Sequence, residues 1–171
     1  MLKKKICIVG SFGVGKTSLV RRFVDSIFDE SYLATVGVKI DRKDVRIGST
    51  AVTLVLWDLA GEDDLAQLNV SHLRGSSGYI LVADGCRATT LAKAIDIQGR
   101  IARLLGPLPF VIVVNKADLR DQWEVKGAIL EERGWTTFET SAKAGSGVEE
   151  MFQHLAEKLL SDDVPSREQV E

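Results

Sequence analysis

The chain has 171 residues, 45% of them hydrophobic, and a formal net charge of -2 at pH 7. This length fits one domain that can bury a sizeable core. The charge gives no electrostatic support for nucleic-acid binding, because the basic residues are scattered apart from residues 3–5 and the pair Arg21 and Arg22. We interpret these two clusters as a solvated strand start and a solvated helix face.

Cysteine usage and hydropathy indicate a cytosolic protein. Cys7 and Cys86 lie in or beside apolar runs without metal-type spacing, which predicts buried, reduced thiols in a reducing compartment. No apolar run reaches the ~18 residues of a membrane span. The apolar stretch behind the basic start is too short for a signal peptide.

Strand-like and helix-like segments alternate along the chain, which predicts an α/β fold with a mostly parallel sheet and helices on both faces. We expect about six strands and five helices. Gly48 and Ser49 separate two strand-like segments, which predicts a hairpin and one antiparallel pair. The predicted strands cover residues 6–9, 38–47, 52–57, 78–83, 110–114 and 136–140. The predicted helices cover residues 17–24, a short piece of 62–77, 91–105, 122–133 and the segment after 148.

The end of the chain contains one more helix signal and then a polar tail. Ser146 and Glu149 have the spacing of a capping box, and an apolar stripe follows at helical period. Residues 161–171 are polar and include Pro165, which predicts a loose tail. We therefore expect one domain over residues 1–160 and a flexible tail over 161–171.

Residues 10–17 (GSFGVGKT) fit G-x-x-x-x-G-K-[ST] directly behind an apolar run. A buried strand, a Gly-rich turn and a helix start together form a P-loop, whose backbone N–H groups and helix dipole bind phosphate. Lys16 would supply positive charge to the β- and γ-phosphates, and the Thr17 hydroxyl would be a Mg2+ ligand. The predicted phosphate-binding residues are Gly10, Ser11, Phe12, Gly13, Val14, Gly15, Lys16, Thr17 and Ser18.

A second motif, D-x-x-G, follows the second arm of the hairpin. Asp58 comes at the end of a predicted buried strand and can reach a Mg2+ held by Thr17, while the Gly61 N–H can meet a γ-phosphate oxygen. The alternative is that Asp58 merely caps the next segment. The preceding strand and the P-loop favour the metal role.

Residues 115–118 (NKAD) indicate which base the bound nucleotide carries. Asp118 can accept both the N1–H and the N2 amine of guanine, and adenine lacks both donors on that edge. Such a site rejects the wrong analogue by roughly 10⁴ or more. Asn115 can tie this loop to the P-loop, and the Lys116 stem can lie along the nucleoside. The motif alone could be a helix-starting turn.

The loop Ser141, Ala142 and Lys143 follows the last predicted strand. The Ala142 N–H could meet the guanine oxygen, and Ser141 could brace Asp118. Together with the P-loop, in this order, the two loops predict GTP and GDP as ligands.

These motifs, in this order and spacing, resemble those of a small GTPase of the Ras superfamily over essentially residues 3–160. Within it, residues 35–37 (TVG), Trp57 ahead of Asp58, and residues 73–75 (LRG) are most similar to the Rab-type branch. The resemblance implies a P-loop NTPase fold and a molecular switch that hydrolyses GTP. It also implies effectors, and an exchange factor or activator, that bind residues 31–39 and 61–75.

The resemblance also assigns two switch loops, residues 26–37 and 60–74. Phe28 would pack edgewise on the guanine, and Thr35 would close on Mg2+ and the γ-phosphate. Phe28 could equally be a minor-core residue, and Thr35 an ordinary loop threonine. The implied metal ligands are Thr17, Thr35 and Asp58, and the implied catalytic residues are Lys16, Thr35, Gly61 and Glu62.

Two residues depart from the pattern of the family. Glu62 stands where the family has a Gln that orients the attacking water, and a carboxylate adds negative charge there without an amide donor. Phe12 stands where members often have a small residue. We expect slow hydrolysis and a poor fit for an arginine-supplying activator. The alternative is that Phe12 turns outward and Glu62 is a tolerated surface residue.

The chain also lacks the lipidation signals of Rab-type relatives. Residues 169–171 contain no cysteine for prenylation, and Leu2 excludes N-terminal myristoylation. This resembles the lipid-free Ras-like proteins of prokaryotes. We expect no direct membrane anchor, recruitment by a partner, and a monomer.

The sequence leaves two functions open. The first is a GTP-hydrolysing switch, and the second is a GTP-binding interaction module that hardly hydrolyses. Asp118 disfavours a third, an ATP-dependent kinase or ATPase.

Overall fold

The computed structural model describes residues 1–26, 28, 37–61 and 68–163. These residues form one six-stranded sheet surrounded by five α helices, as predicted. The strands are β1 (Leu2–Gly10), β2 (Val38–Ile47), β3 (Thr50–Leu59), β4 (Gly78–Asp84), β5 (Phe110–Asn115) and β6 (Thr137–Thr140). The helices are α1 (Lys16–Asp25), α2 (Val70–Leu73), α3 (Ala88–Leu105), α4 (Ala128–Arg133) and α5 (Val148–Ser161), and a 3-10 helix covers Ala117–Gln122.

The strand order is β2-β3-β1-β4-β5-β6. Only β2 and β3 are antiparallel, which confirms the predicted hairpin, and the other neighbours run parallel. The order reverses at β1, which has β3 on one side and β4 on the other. Open sheets bind ligands at such a reversal, beyond the carboxyl ends of the strands. The P-loop leaves β1 at this point.

Side chains alternate between two cores on opposite faces of the sheet. In β1, Ile6 and Ile8 enter the core covered by α1 and α5, while Cys7 and Val9 enter the core covered by α3. Strands buried on both faces are the expected result of parallel pairing. Among the described helices, none is long and apolar enough to cross a membrane.

The predicted helix over residues 122–133 is wrong in its first half. The chain forms the 3-10 helix to Gln122 and becomes extended at Trp123, and α4 begins only at Ala128. The N–H groups of Glu124 and Val125 donate to the Gly85 carbonyl, at 2.8 and 3.1 Å. These bonds hold the segment against the end of β4 instead of in a helical turn.

The predicted capping box is also absent. The N-cap of α5 is Gly147, in a left-handed conformation with φ of 72°, and no side chain caps the helix. A Cβ at this position would overlap the carbonyl of Glu139. The Ser146 carbonyl accepts from the Ser141 N–H at 3.0 Å. The close approach to β6 therefore fixes this turn, and the local Ser/Glu spacing does not.

The basic start of the chain is exposed at Lys3, as predicted, but not at Lys4 or Lys5. Lys4 is buried and forms an ion pair with Asp163. The Lys5 ammonium lies 3.8 Å from the centroid of the Trp57 ring and donates to the His72 carbonyl at 2.7 Å. These lysines therefore fix β1 against its neighbours.

The two thiols differ in burial. Both are free, but Cys7 is buried and Cys86 is only half-buried. The prediction of a buried thiol is therefore wrong for Cys86, which follows β4 at the rim of the sheet. Burial raises the pKa of Cys7, and its Sγ lies 3.1 Å from the Ser76 Oγ.

Candidate functional site

The P-loop connects β1 to α1 and is held by a side chain from β5. The N-cap of α1 is Gly15, with φ of 101°. The amide Nδ2 of Asn115 donates to the Val14 carbonyl at 3.0 Å. A Cβ on Gly15 would clash with that same amide nitrogen, so the glycine leaves room for the link between the two loops.

Lys16 lies across the P-loop. Its Nζ donates to the carbonyls of Gly10 and Ser11, both at 3.0 Å, and the residue is only 6% exposed. A Cβ on Gly61 would lie 2.9 Å from this ammonium and 2.6 Å from the Phe12 Cα. The structure thus brings Gly61 of the D-x-x-G motif next to the lysine, as their predicted contacts with one phosphate require.

Thr17 and Asp58 also meet. The Thr17 Oγ1 donates to the Asp58 Oδ2 at 2.5 Å. Asp58 is fully buried, and its Oδ1 has no hydrogen-bond partner among the described residues. Burial raises the pKa of Asp58, while the Thr17 hydrogen bond and the Lys16 charge oppose the rise.

This pair fits a magnesium ion. Mg2+ is usually held by one or two protein ligands together with water and substrate phosphates. The described residues contain no group of three or more acidic, His or Cys side chains placed to hold a metal. One hydroxyl and one carboxylate with an unsatisfied oxygen match the sparse set that Mg2+ uses beside phosphate. Thr35, the third predicted ligand, lies outside the described residues.

Asn115 connects three loops. Besides its bond to Val14, its Oδ1 accepts from the Thr140 Oγ1 at 3.0 Å and from the Ala142 N–H at 3.3 Å. The predicted tie to the P-loop is present. The Ala142 N–H, predicted to face the guanine oxygen, is engaged in this longer bond.

Ser141 braces Asp118 as predicted. Its Oγ donates to the Asp118 Oδ1 at 2.7 Å and accepts from the Ala144 N–H at 2.9 Å. The carboxylate is thereby fixed through one oxygen. The geometry suits a rigid acceptor for a base edge.

Lys116 is held through both its backbone and its side chain. It has a left-handed backbone, with φ of 75°, and its carbonyl accepts from the Trp123 Nε1 at 2.8 Å. Its ammonium lies 2.7 Å from the Asp84 Oδ2. Sequence reasoning missed both Asp84 and Trp123, since neither belongs to a nucleotide motif.

Asp84 is ionised in spite of its burial. Its side chain is 2% exposed, and burial favours the neutral form. Hydrogen bonds from Lys116, the Cys86 N–H and Arg87 outweigh burial and hold the pKa of Asp84 below its ordinary value. A buried carboxylate that accepts several charged donors is a fixed anion.

Arg22 contacts the loop that contains Ser141, Ala142 and Lys143. Its Nε donates to the Ala142 carbonyl at 2.7 Å, and its Nη2 donates to the Lys143 carbonyl. The interpretation of this arginine pair as a solvated helix face is therefore wrong for Arg22. No local signal could reveal it, because the partners lie at the other end of the chain.

The remaining predicted residues are placed as follows. Phe12 is 46% exposed, and Phe28 is partly buried against the core beneath α1 and α5. The Ala60 N–H donates to the Gly37 carbonyl at 2.8 Å, so the described ends of the two predicted switch loops are joined. Glu62 and most of the switch segments lie outside the described residues.

Comparison with known proteins gives consistent matches. Residues 5–161 match the model of the Ras family. The chain is 37% identical to Ras-related protein Rab-4 of Dictyostelium discoideum, over 92% of this chain and 79% of that protein. It is 34% identical to human Ras-related protein Rab-7b, over 92% and 82%. It is 32% identical to the Ypt/Rab-type GTPase ypt7 of Schizosaccharomyces pombe, over 94% and 85%.

Proposed function

This chain belongs to the Ras family of small GTPases and is Rab-like over most of its length, and from this we propose a switch that binds GTP or GDP with Mg2+ and hydrolyses GTP slowly. One observation carries the proposal: three loops meet at the strand order reversal through the pairs Thr17–Asp58 and Asn115–Val14. Phosphate, metal and base would then be bound within one rigid site.

The residues proposed to hold the nucleotide divide by the part that they contact. Lys16 and the P-loop N–H groups would bind the phosphates, and Asp118 would accept from the guanine edge. Thr17 and Asp58, with Thr35, would hold Mg2+, which neutralises charge on the phosphates when bound. The unsatisfied Oδ1 of Asp58 supports this donor set.

Slow hydrolysis is proposed from Phe12 and Glu62. A Cβ on Gly61 would lie 2.6 Å from the Phe12 Cα and 2.9 Å from the Lys16 ammonium, so the half-exposed Phe12 side chain leaves the backbone near the proposed γ-phosphate position. A bulky group there would compete with the water and with any inserted arginine. Glu62 lacks the amide donor that steadies transition-state oxygens. The same two residues favour the second candidate, a module that signals by GTP occupancy alone.

The test is single-turnover phosphate release from the GTP-loaded, Mg2+-bound full chain. We expect the parent rate to lie below the roughly 3–5 × 10⁻⁴ s⁻¹ that is typical of Ras. The double variant Phe12→Gly/Glu62→Gln should release phosphate at least about tenfold faster, since it restores an amide donor and space. Glu132→Gln, an exposed change on α4, is the matched control for lost charge.

Each result separates the alternatives. An unchanged rate in the double variant would remove Phe12 and Glu62 as the cause of slow turnover. No release over many hours from the parent protein would favour the occupancy module. Loading with ATP in parallel tests base choice, and binding of ATP with exclusion of GTP would contradict the guanine assignment.

Effector binding is proposed for residues 31–39 and 61–75. Hydrolysis removes the phosphate that Thr35 and Gly61 would contact, so both segments would change together. The bond between Ala60 and Gly37 supports this coupling. Two free thiols, one of them buried, support a reducing compartment such as the cytosol.

A further inference from the structure

Arg87, between β4 and α3, links the P-loop to a buried anion. Its Nη2 donates to the Phe12 carbonyl at 2.8 Å, and its Nε donates to the Asp84 Oδ2 at 3.1 Å. The same Nη2 would lie 3.4 Å from a Cβ on Gly13. The guanidinium therefore spans the gap between the sheet and the Phe12–Gly13 peptide.

The geometry of the Phe12–Gly13 peptide links this contact to the direction of the Gly13 N–H. In a trans peptide the carbonyl of one residue and the N–H of the next point in opposite directions, and the described chain has no cis bond. A donor that holds the Phe12 carbonyl thus fixes the direction of the Gly13 N–H. P-loop N–H groups are the groups that bind phosphate.

We propose that Arg87 is a positioning residue for the β-phosphate: by holding the Phe12 carbonyl it keeps the Gly13 N–H aimed into the phosphate cradle, without itself touching the nucleotide. The inference rests on the proposed guanine-nucleotide site. It adds a residue that lies outside all four nucleotide motifs.

Asp84 connects Arg87 to Lys116, on the proposed base-binding side of the site. Its Oδ2 accepts from Arg87 and also lies 2.7 Å from the Lys116 ammonium. One buried carboxylate thus anchors a phosphate-side residue and a base-side residue. Of these two residues, Arg87 is the one whose hydrogen bond to the P-loop is seen in the described part of the chain. Loss of Arg87 should therefore weaken the phosphate side more than the base side.

The choice of arginine is chemically specific. Its planar fork can donate to the Asp84 carboxylate and the Phe12 carbonyl at once, from two fixed nitrogens. A lysine ammonium is a single point on a flexible stem. Arg87→Lys should therefore keep a positive charge beside Asp84 but bind the Phe12 carbonyl less firmly than arginine does.

The experiment measures release of fluorescently labelled GDP and, separately, the affinity for GMP in the nucleotide-free full chain. Arg87→Met removes the bonds to both Phe12 and Asp84. We expect GDP release to be roughly tenfold faster, the effect of losing the charge-assisted bond to the Phe12 carbonyl at a half-exposed site. The GMP affinity should stay within about twofold, because GMP has no β-phosphate. Arg87→Lys should lie between the parent and Arg87→Met.

Arg46→Met is the matched control. Arg46 also donates to a loop carbonyl, that of Ser49 at 3.4 Å, but it lies on the β2–β3 hairpin away from the site. Its GDP release should match that of the parent protein. Thermal unfolding without nucleotide checks that each variant is folded. If Arg87→Met is unfolded, Arg87→Lys, which keeps the charge, is used to compare GDP release with GMP affinity.

Two results would overturn the inference while leaving the proposed function intact. GDP release that is unchanged in both Arg87 variants would show that the Phe12 carbonyl needs no support. A GMP affinity that falls by the same factor as GDP release rises would show that Arg87 acts on the whole site and not on the phosphate side. A parent protein that binds no guanine nucleotide would overturn the inference and the proposed function together.

Discussion

At the scale of single residues, Gly85 and Trp123 fit together because one lacks a side chain. A Cβ on Gly85 would overlap the indole ring. The ring is fixed by its Nε1 bond to the Lys116 carbonyl at 2.8 Å, and the Arg120 guanidinium lies 4.3 Å from its centroid. The pair therefore supports the backbone of the proposed base-recognition loop.

Gly85→Ala should destabilise the protein by about 1–3 kcal/mol, since an added methyl group forces the packed indole to move. Denaturant unfolding measures the change. Trp123→Ala combined with Gly85→Ala removes the clash, so the added methyl should cost less in that background. Equal costs in the two backgrounds would show that the strain lies elsewhere than in this contact.

At the scale of elements, α1 and α5 are joined by two phenylalanines. The rings of Phe23 and Phe152 stack with centroids 3.9 Å apart and an angle of 7° between their planes. Both side chains are buried in the core between the sheet and the helices α1 and α5. Because α1 starts at the P-loop, this contact fixes the helix whose N-terminus would face the phosphates.

Phe152→Ala should lower the free energy of unfolding by about 3–5 kcal/mol through lost burial and a cavity. Leu104→Ala, on the exposed face of α3, is the control and should change it by less than about 0.5 kcal/mol. Chemical denaturation of both variants tests the difference. A loss for Phe152→Ala no larger than that of the control would contradict the assigned role of the ring stack.

The elements also show how far sequence reasoning reaches. The strands, the hairpin and the loops bearing Lys16, Asp58 and Asp118 follow local patterns, so they could be predicted. The extended path after Trp123 depends on bonds to Gly85 and could not be. Arg22 likewise acts through carbonyls distant in sequence. Local periodicity describes single elements, whereas these contacts exist only after the elements pack.

At the scale of the whole molecule, the site joins the two halves of the sheet. Asp58 comes from β3 and Asn115 from β5, on opposite sides of β1. A ligand that contacts both binds only the folded arrangement. Its binding energy would therefore stabilise the entire domain.

Removal of Mg2+ should lower the melting temperature of the GDP-bound protein. If chelation weakens GDP binding about a hundredfold, the lost stabilisation is about 2.7 kcal/mol, which corresponds to roughly 5–10 °C for a domain of this size. Differential scanning calorimetry with and without EDTA measures the shift. Asp58→Asn, measured in the same way, should respond less, and an identical response would argue against Asp58 as a metal ligand.

The long outer strand β2 has a consequence for the behaviour of the protein in concentrated solution. Among the described residues it lies at the edge of the sheet, so no described strand pairs with its outer row of backbone donors and acceptors. Six of its ten residues are charged: Lys39, Asp41, Arg42, Lys43, Asp44 and Arg46. If the β2 strands of two copies paired, these charged side chains would come close together and lose part of their hydration. The charges of β2 therefore oppose the growth of aggregates through pairing of this edge strand.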